Sequence, residues 1–254
     1  MFEDHFRLRD SRVLVTGGAA GIGNAVCEFF ASLGAQVCSL DRNRNPQSTA
    51  FRQSVVDVTK QDEVDGAIRE FAADAGGVDV LVNNAAISFV GTVEDGSVDE
   101  WFKVLDVNLL GYVRCIRSAL PFLRKAKYPS IVNMSSCSAT SGIQKRALYS
   151  ASKGAVHSLT LAMASDLVHE RIRVNCVVPG TVKTPFMEKI ISAATDPGKL
   201  RREFELRQPT GQMVDPHEVA FAVAYLASPL SLSSVGASIV VDGGLAHIQV
   251  PRVS

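Results

Sequence analysis

The sequence predicts a single doubly wound α/β domain over residues 1–254, built on a seven-stranded parallel sheet with helices on both faces. Three observations carry this reading. Apolar, β-branched runs recur along the chain, stretches of helical period separate them, and a glycine-rich turn joins the first run to the first helix. The runs are continuously apolar rather than alternating, as strands covered on both faces must be.

Taken in order, the expected strands are "RVLVT" at 12–16, "QVCSL" at 36–40, "SVV" at 54–56, "VDVLVN" at 78–83, "SIVNMS" at 130–135, "RVNCVV" at 173–178 and "SIVVD" at 238–242. Helical periodicity is clearest at 22–33, 64–75, 101–123, 149–168 and 219–227. Asp215-Pro216 with Glu218 supplies a capping acid, a proline at the first helical position and a first-turn acid, so a helix should begin there. The least regular stretch is 185–214, polar and charged with Pro197-Gly198 and Pro209, and it is expected to be a substrate-binding loop. No linker, repeat or low-complexity tract divides the chain.

Composition narrows the classes of function. The chain is 46% hydrophobic and 20% charged, with 26 basic and 26 acidic side chains, and it is long enough to bury a sizeable core. That balance gives no electrostatic footing for nucleic acid or an anionic membrane. No run approaches the ~18 apolar residues of a membrane span. The opening "MFEDHFRLRD" is too charged for a secretory signal. The 5 cysteines, Cys27, Cys38, Cys115, Cys137 and Cys176, lack metal-ligand spacing. They read as reduced core thiols of a cytoplasmic protein, with no metal expected.

The turn "VTGGAAGIG" lies where a phosphate loop should. Gly17, Ala20, Gly21, Ile22 and Gly23 would let the backbone approach a pyrophosphate at the helix N-terminus, where free N–H groups bind anions. The spacing is G-x-x-x-G-x-G rather than the commoner G-x-G-x-x-G. Asp41 closes the second strand roughly 20 residues further on, where an acid accepts from the adenosine ribose and repels a 2′-phosphate. Arg42 beside it could accommodate such a phosphate, but the loop itself holds no basic residue. NAD is therefore expected over NADP.

Tyr149 and Lys153 lie one turn apart on a helical face. A tyrosine titrates near ~10 and is a poor base at neutral pH, but a fixed ammonium and a positive nicotinamide ring both favour its phenolate. Lowering that pKa to neutrality takes roughly 4 kcal/mol. The pair alone is common by chance and would read more readily as a solvated face. Ser136 adds a hydroxyl at the end of a strand, where a doubly wound sheet presents its ligand-facing residues.

These residues belong to a longer series: "TGGAAGIG" at 16–23, "NNAA" at 83–86, Asn108 in "DVNLLG", Ser136, "YSASK" at 149–153, "PGTVKT" at 179–184 and "VDGG" at 241–244. In this order, over nearly the whole chain, they resemble the short-chain dehydrogenase/reductase family and its Rossmann-type fold. The resemblance implies that Tyr149 is the acid/base, that Lys153 lowers its pKa and binds the nicotinamide ribose, that Ser136 orients the substrate oxygen and that Asn108 holds a proton-relay water. It also implies adenine contacts from Asp57 and Val58, a place near the adenosine ribose for Asn84, Ala85 and Ala86, and cofactor contacts from Pro179, Gly180, Val182 and Thr184, the last two at the carboxamide. Ala86 departs from the family's usual glycine. A homotetramer, paired through helices 101–123 and 149–168, is implied as well.

Three cations bear on the substrate. Arg146 stands just before Tyr149, and Lys189 and Arg207 lie in the 185–214 stretch. Guanidinium forks suit carboxylates. The segments "GIQKRALYS", "PGTVKTPFMEKI" and "ELRQPTGQ" are similar to a branch that includes cytosolic type 2 3-hydroxybutyrate dehydrogenases and bacterial dehydrogenases of sugars and 2-keto-3-deoxy sugar acids. This implies hydride transfer between NAD and the secondary alcohol of a small hydroxy acid or 2-keto-3-deoxy sugar acid. A neutral-sugar (aldose) dehydrogenase would need no arginine cluster, and a non-catalytic NAD(H)-sensing protein would need no Asn108, Ser136, Tyr149 and Lys153 together.

Overall fold

A computed structural model describes residues 5–248 of the chain. Strands β1 (Arg12–Thr16), β2 (Gln36–Asp41), β3 (Arg52–Val55), β4 (Val80–Asn83), β5 (Ser130–Met134), β6 (Arg173–Pro179) and β7 (Ser238–Val241) form one sheet in the order β3-β2-β1-β4-β5-β6-β7. Every neighbouring pair is parallel. The fold is the doubly wound one the apolar runs predict.

Period-two geometry explains why those runs lack polar breaks. Along β1, Val13 and Val15 enter one core while Leu14 enters the other; along β4, Val80 and Val82 oppose Leu81 in the same way. Helices α1 (Gly21–Ser32) and α8 (Pro216–Ala227) cover the first face. The second is covered by α2 (Gln61–Ala75), α4 (Gly111–Leu123) and α5 (Ala147–Leu167), with α3 (Val98–Leu105) running into α4. Asp215 starts α8 as expected, accepting from His217 N at 2.8 Å while Glu218 accepts from Asp215 N at 3.1 Å.

Two stretches differ from expectation. The helix expected at 101–123 begins earlier, at Val98, because Ser97 and Glu100 form a reciprocal capping box. A π-helical turn at Asp106–Leu110 then interrupts it. Such turns frequently mark functional positions, and this one carries Asn108. The 185–214 stretch is not irregular: it holds α6 (Pro185–Ser192) and α7 (Pro197–Glu205). Thr184 caps the first by accepting from Met187 N and Asp196 caps the second by accepting from Lys199 N, each followed by proline at the first helical position. The excursion is pinned at its base, where Lys183 N donates to Val214 O and Val214 N donates to Thr181 O, both at 2.9 Å.

Among the described residues, no helix is long and apolar enough to cross a membrane, and no cluster of three His, Cys, Asp or Glu side chains is placed to hold a metal ion. All five cysteines are free and buried. The strand order reverses between β1 and β4, which opens a crevice beyond the carboxyl ends of those strands.

Candidate active site

That crevice is a cleft of about 680 Å³ running from the glycine turn and Asp41, past the loop after β4, to Ser136, Tyr149, Arg146 and Arg207. Residues far apart in the chain meet here because most of them follow a strand or open a helix at the same edge of the sheet, Arg207 alone of those named coming from the end of α7.

The glycine turn is shaped by close contact. Gly17 takes φ +68°, and a Cβ there would meet Ala85 Cα at 2.9 Å; at Gly23 it would meet Gly17 O at 2.1 Å. Ala20 precedes α1 without a side-chain cap, so no side chain takes up the helix's first N–H groups, and Gly17, Ala20, Gly21 and Ile22 line the cleft. This is the cradle a pyrophosphate needs. Asn84 uses its side chain to hold the turn, donating to Thr16 O at 3.0 Å and Gly17 O at 3.1 Å, while Ala85 N donates to Thr16 Oγ1. Ala86 lines the cleft without a left-handed φ, so its methyl brings no backbone strain.

The Asp41 carboxylate lies against the turn, accepting from Ala19 N at 3.1 Å and Asn43 N at 2.9 Å. Arg42 is exposed and does not line the cleft. Asp57, Val58 and Pro179 also lie outside its lining, whereas Gly180, Val182 and Thr184 lie within it. Asp57 is occupied locally, accepting from Thr59 N and Oγ1.

Ser136 leaves β5 in extended conformation and its Oγ accepts from Ser138 N at 3.2 Å and Ser138 Oγ at 3.0 Å. Both bonds use lone pairs, and the Ser136 hydroxyl also lies within hydrogen-bond reach of the Tyr149 phenol at the cleft wall. Asn108 is fully buried, accepting from Ile87 N at 2.8 Å and donating to Ile87 O and Ser152 Oγ, both at 3.0 Å. Its side chain thus fixes the cleft wall at Ile87 and is fully engaged.

Lys153 is 1% exposed, and its Nζ donates to Met134 O at 2.8 Å and Tyr112 Oη at 3.2 Å. It stands 6.0 Å from the centroid of the Tyr149 ring. Burial lowers Lys153 to about 7. It raises the Tyr149 phenol above its ordinary value, with the Cys137 thiol adding to the rise and Ser136 and Arg146 opposing it. These directions run against the sequence expectation of an ammonium pulling the phenol down. The reason is that Lys153 faces neutral oxygens in a dry site, so desolvation outweighs charge attraction.

Arg146 and Arg207 both line the cleft. Arg146 donates to Ser88 Oγ at 2.9 Å and Phe89 O at 3.3 Å, and neither arginine forms a salt bridge among the described residues. Arg207 stands at the mouth with its guanidinium 4.4 Å from the Phe204 ring centroid; partial burial and then the nearby Arg146 charge lower its pKa. Lys189 does not join them. It is exposed on α6 and absent from the lining, while Phe186 and Met187 face the cleft. Met187 and Lys189, two positions apart at 3.6 residues per turn, project on near-opposite sides. Sequence reasoning missed Cys137, Ser138, Ile143, Phe186 and Met187 in the lining and Tyr112 behind it. Cys137, Ser138 and Ile143 follow a strand end where no period applies, Phe186 and Met187 lie on a helix hidden by polar composition, and Tyr112 reads as an ordinary helical core residue.

Comparison with known proteins follows the same lines. A family model described as Enoyl-(Acyl carrier protein) reductase matches residues 17–246. Dehydrogenase/reductase SDR family member 6 of Danio rerio is 37% identical over 92% of this chain and 97% of its own length. The L-fucose dehydrogenase of Mus musculus is 36% identical, over 91% of this chain and 87% of its own. Among solved structures, the ligand-free aldohexose dehydrogenase of Thermoplasma acidophilum superposes with a TM-score of 0.90 at 36% identity, covering 96% of this chain and 98% of that one. The chain belongs to the short-chain dehydrogenase/reductase family. It is an oxidoreductase of that family, whose dehydrogenases use nicotinamide cofactors.

Proposed function

We propose that the enzyme is an NAD-dependent dehydrogenase acting on the secondary alcohol of a small hydroxy acid or 2-keto-3-deoxy sugar acid. The observation that carries this is the pair Arg146 and Arg207, two guanidiniums in one cleft, neither in a salt bridge among the described residues, with the Glu203 charge bearing on Arg207 only at longer range. Fixed cations at the substrate end of a pocket offset the cost of burying an anion. The preference for NAD rests on Asp41, which lines the cleft where ribose hydroxyls would meet its carboxylate and a phosphate would be repelled, and on Arg42 lying outside that lining.

NAD, when bound, supplies the hydride acceptor and a positively charged ring. The chain's own residues do the rest. Ser136 donates its O–H to the substrate oxygen and orients it. Tyr149 takes the alcohol proton at its phenolic oxygen. Lys153 keeps one N–H for the cofactor ribose and, when charged, favours the phenolate. Asn108, which fixes the cleft wall at Ile87, holds the relay water. The Arg146 and Arg207 guanidiniums grip the carboxylate. Four chains assemble through apolar surface left exposed on α3, the π turn and α5, including Phe102, Leu110 and Leu161. Five reduced, buried cysteines support a cytoplasmic setting.

The L-fucose and aldohexose dehydrogenases among the relatives favour a second reading, oxidation of a free aldose. NADH formation with a panel of hydroxy acids, keto-deoxy sugar acids and aldoses decides between them. The acid reading predicts that the best acid exceeds every aldose in kcat/KM; an aldose leading the panel overturns it.

A further inference from the structure

Tyr112 heads the largest fully buried side chains, at 1% exposure, and the reaction outlined above makes no use of it. A phenol in a core needs partners for its hydroxyl. Tyr112 Oη donates to Met134 O at 3.2 Å and accepts from Lys153 Nζ at 3.2 Å. The polarity is forced, since a carbonyl only accepts and an ammonium only donates. The ring itself also lies near the charge, with its centroid 5.3 Å from Nζ.

Three elements meet at this triangle: α4 through Tyr112, α5 through Lys153, and the end of β5 through Met134. Ser135, between Met134 and Ser136, adds a bond from its Oγ to Lys153 O at 3.1 Å. The triangle therefore ties Lys153 to the strand end that carries Ser136. Tyr112 stands one helical turn after Asn108, directly beyond the π turn.

We infer that Tyr112 is a positioning residue for the reaction, its hydroxyl holding the Lys153 ammonium charged and in place behind Tyr149. The inference rests on the reading of Tyr149 and Lys153 as the catalytic pair. A buried ammonium with no carboxylate beside it is kept charged by its acceptors alone. Lys153 has two among the described contacts, both neutral oxygens, and burial already lowers it to about 7. Removing one leaves Met134 O. The ionisable groups facing the cluster are Tyr149 on α5, Cys115 beside Tyr112 on α4, and Cys137 and Arg146, which bear on Tyr149 from the turn after β5 and the start of α5. None of them supplies Lys153 with a negative charge at neutral pH.

Tyr112→Phe keeps the ring and removes only the hydroxyl. Titration of Lys153, followed by NMR of its 13C-labelled ε-carbon, is expected to show the midpoint falling by about half to one unit. The high-pH limb of kcat for carbonyl reduction, which needs the charged lysine, should move down with it, while KM for the substrate stays within about twofold. A merely structural tyrosine would lower kcat through loss of folded enzyme and leave both midpoints unmoved, and that result overturns the inference. Should Tyr112→Phe fail to fold, 3-fluorotyrosine placed at position 112 weakens the acceptor at nearly constant shape. A smaller shift in the same direction then supports the inference, and no shift overturns it. Lys153→Met separates the two layers: retained turnover in that variant defeats the catalytic pair itself. An inactive Lys153→Met beside a Tyr112→Phe enzyme with unmoved midpoints defeats only the role of Tyr112.

Discussion

At the scale of single residues, Lys153 carries a measurable cost. A lysine depressed from its ordinary 10.5 to about 7 releases its proton on folding at intermediate pH. The unfolded chain binds the proton more tightly, so the penalty is complete below about pH 7 and fades as pH rises toward 10.5. Replacing a buried charge by an apolar side chain of similar length is often stabilising. Lys153→Met should therefore raise Tm by about 3–8 °C at pH 6, with the gain shrinking by pH 10, while turnover falls at least about a hundredfold. Thermal denaturation at the two pH values checks this, and a lower Tm at pH 6 would contradict it. Tyr149, Lys153 and Ser136 were legible in the sequence because their types and spacing are chemically unusual together. Tyr112 was not, since a lone tyrosine in a helix is an ordinary core residue until its hydroxyl is seen on Nζ. Lys189 misled for the opposite reason: its charge was readable but its side of a helix that had not been recognised was not.

At the scale of elements, caps decide what the chain does between its strands. The start of α8, a capping side chain followed by proline, was read correctly at Asp215, and the same signal stood unread at Thr184-Pro185 and Asp196-Pro197. Polar composition hid it, because α7 packs only Phe204 fully into the protein. The π turn was illegible, since a single extra residue in a helical run leaves the apolar period nearly intact. The proposed preference for NAD is decided at the C-terminal end of β2, where Asp41 lines the cleft. Asp41→Ala removes the repulsion toward a 2′-phosphate along with the ribose acceptor, so the NAD-over-NADP ratio in kcat/KM, expected at about tenfold or more in the wild type, should contract by about tenfold. Steady-state kinetics with both cofactors tests it; a wild type that prefers NADP, or a ratio unmoved in the variant, would show that the acid does not discriminate.

At the scale of the whole molecule, a reversal in strand order creates the cleft, and a chain excursion brings Arg207 to it beside Arg146. Arg146 comes from the turn entering α5, bridged to Gly91 by a bond from Gly91 N to Lys145 O at 2.9 Å. Arg207 comes from the end of α7, brought over the cleft because Val182 and Val214 clasp the base of the excursion. The strands and the cofactor half of the cleft follow from strong local signals, whereas the meeting of these two arginines depends on tertiary packing alone. The central claim is that they meet to hold a carboxylate, and comparing the best acid substrate with its uncharged amide, in wild type and in Arg207→Ala, tests it most directly. One charge-assisted bond is worth about 1.5–3 kcal/mol, or about ten- to a hundredfold in kcat/KM. The account predicts that the wild type prefers acid to amide by at least that factor, and that Arg207→Ala loses it on the acid while changing little on the amide. Equal losses on acid and amide, or a wild type indifferent to the charge, would contradict it.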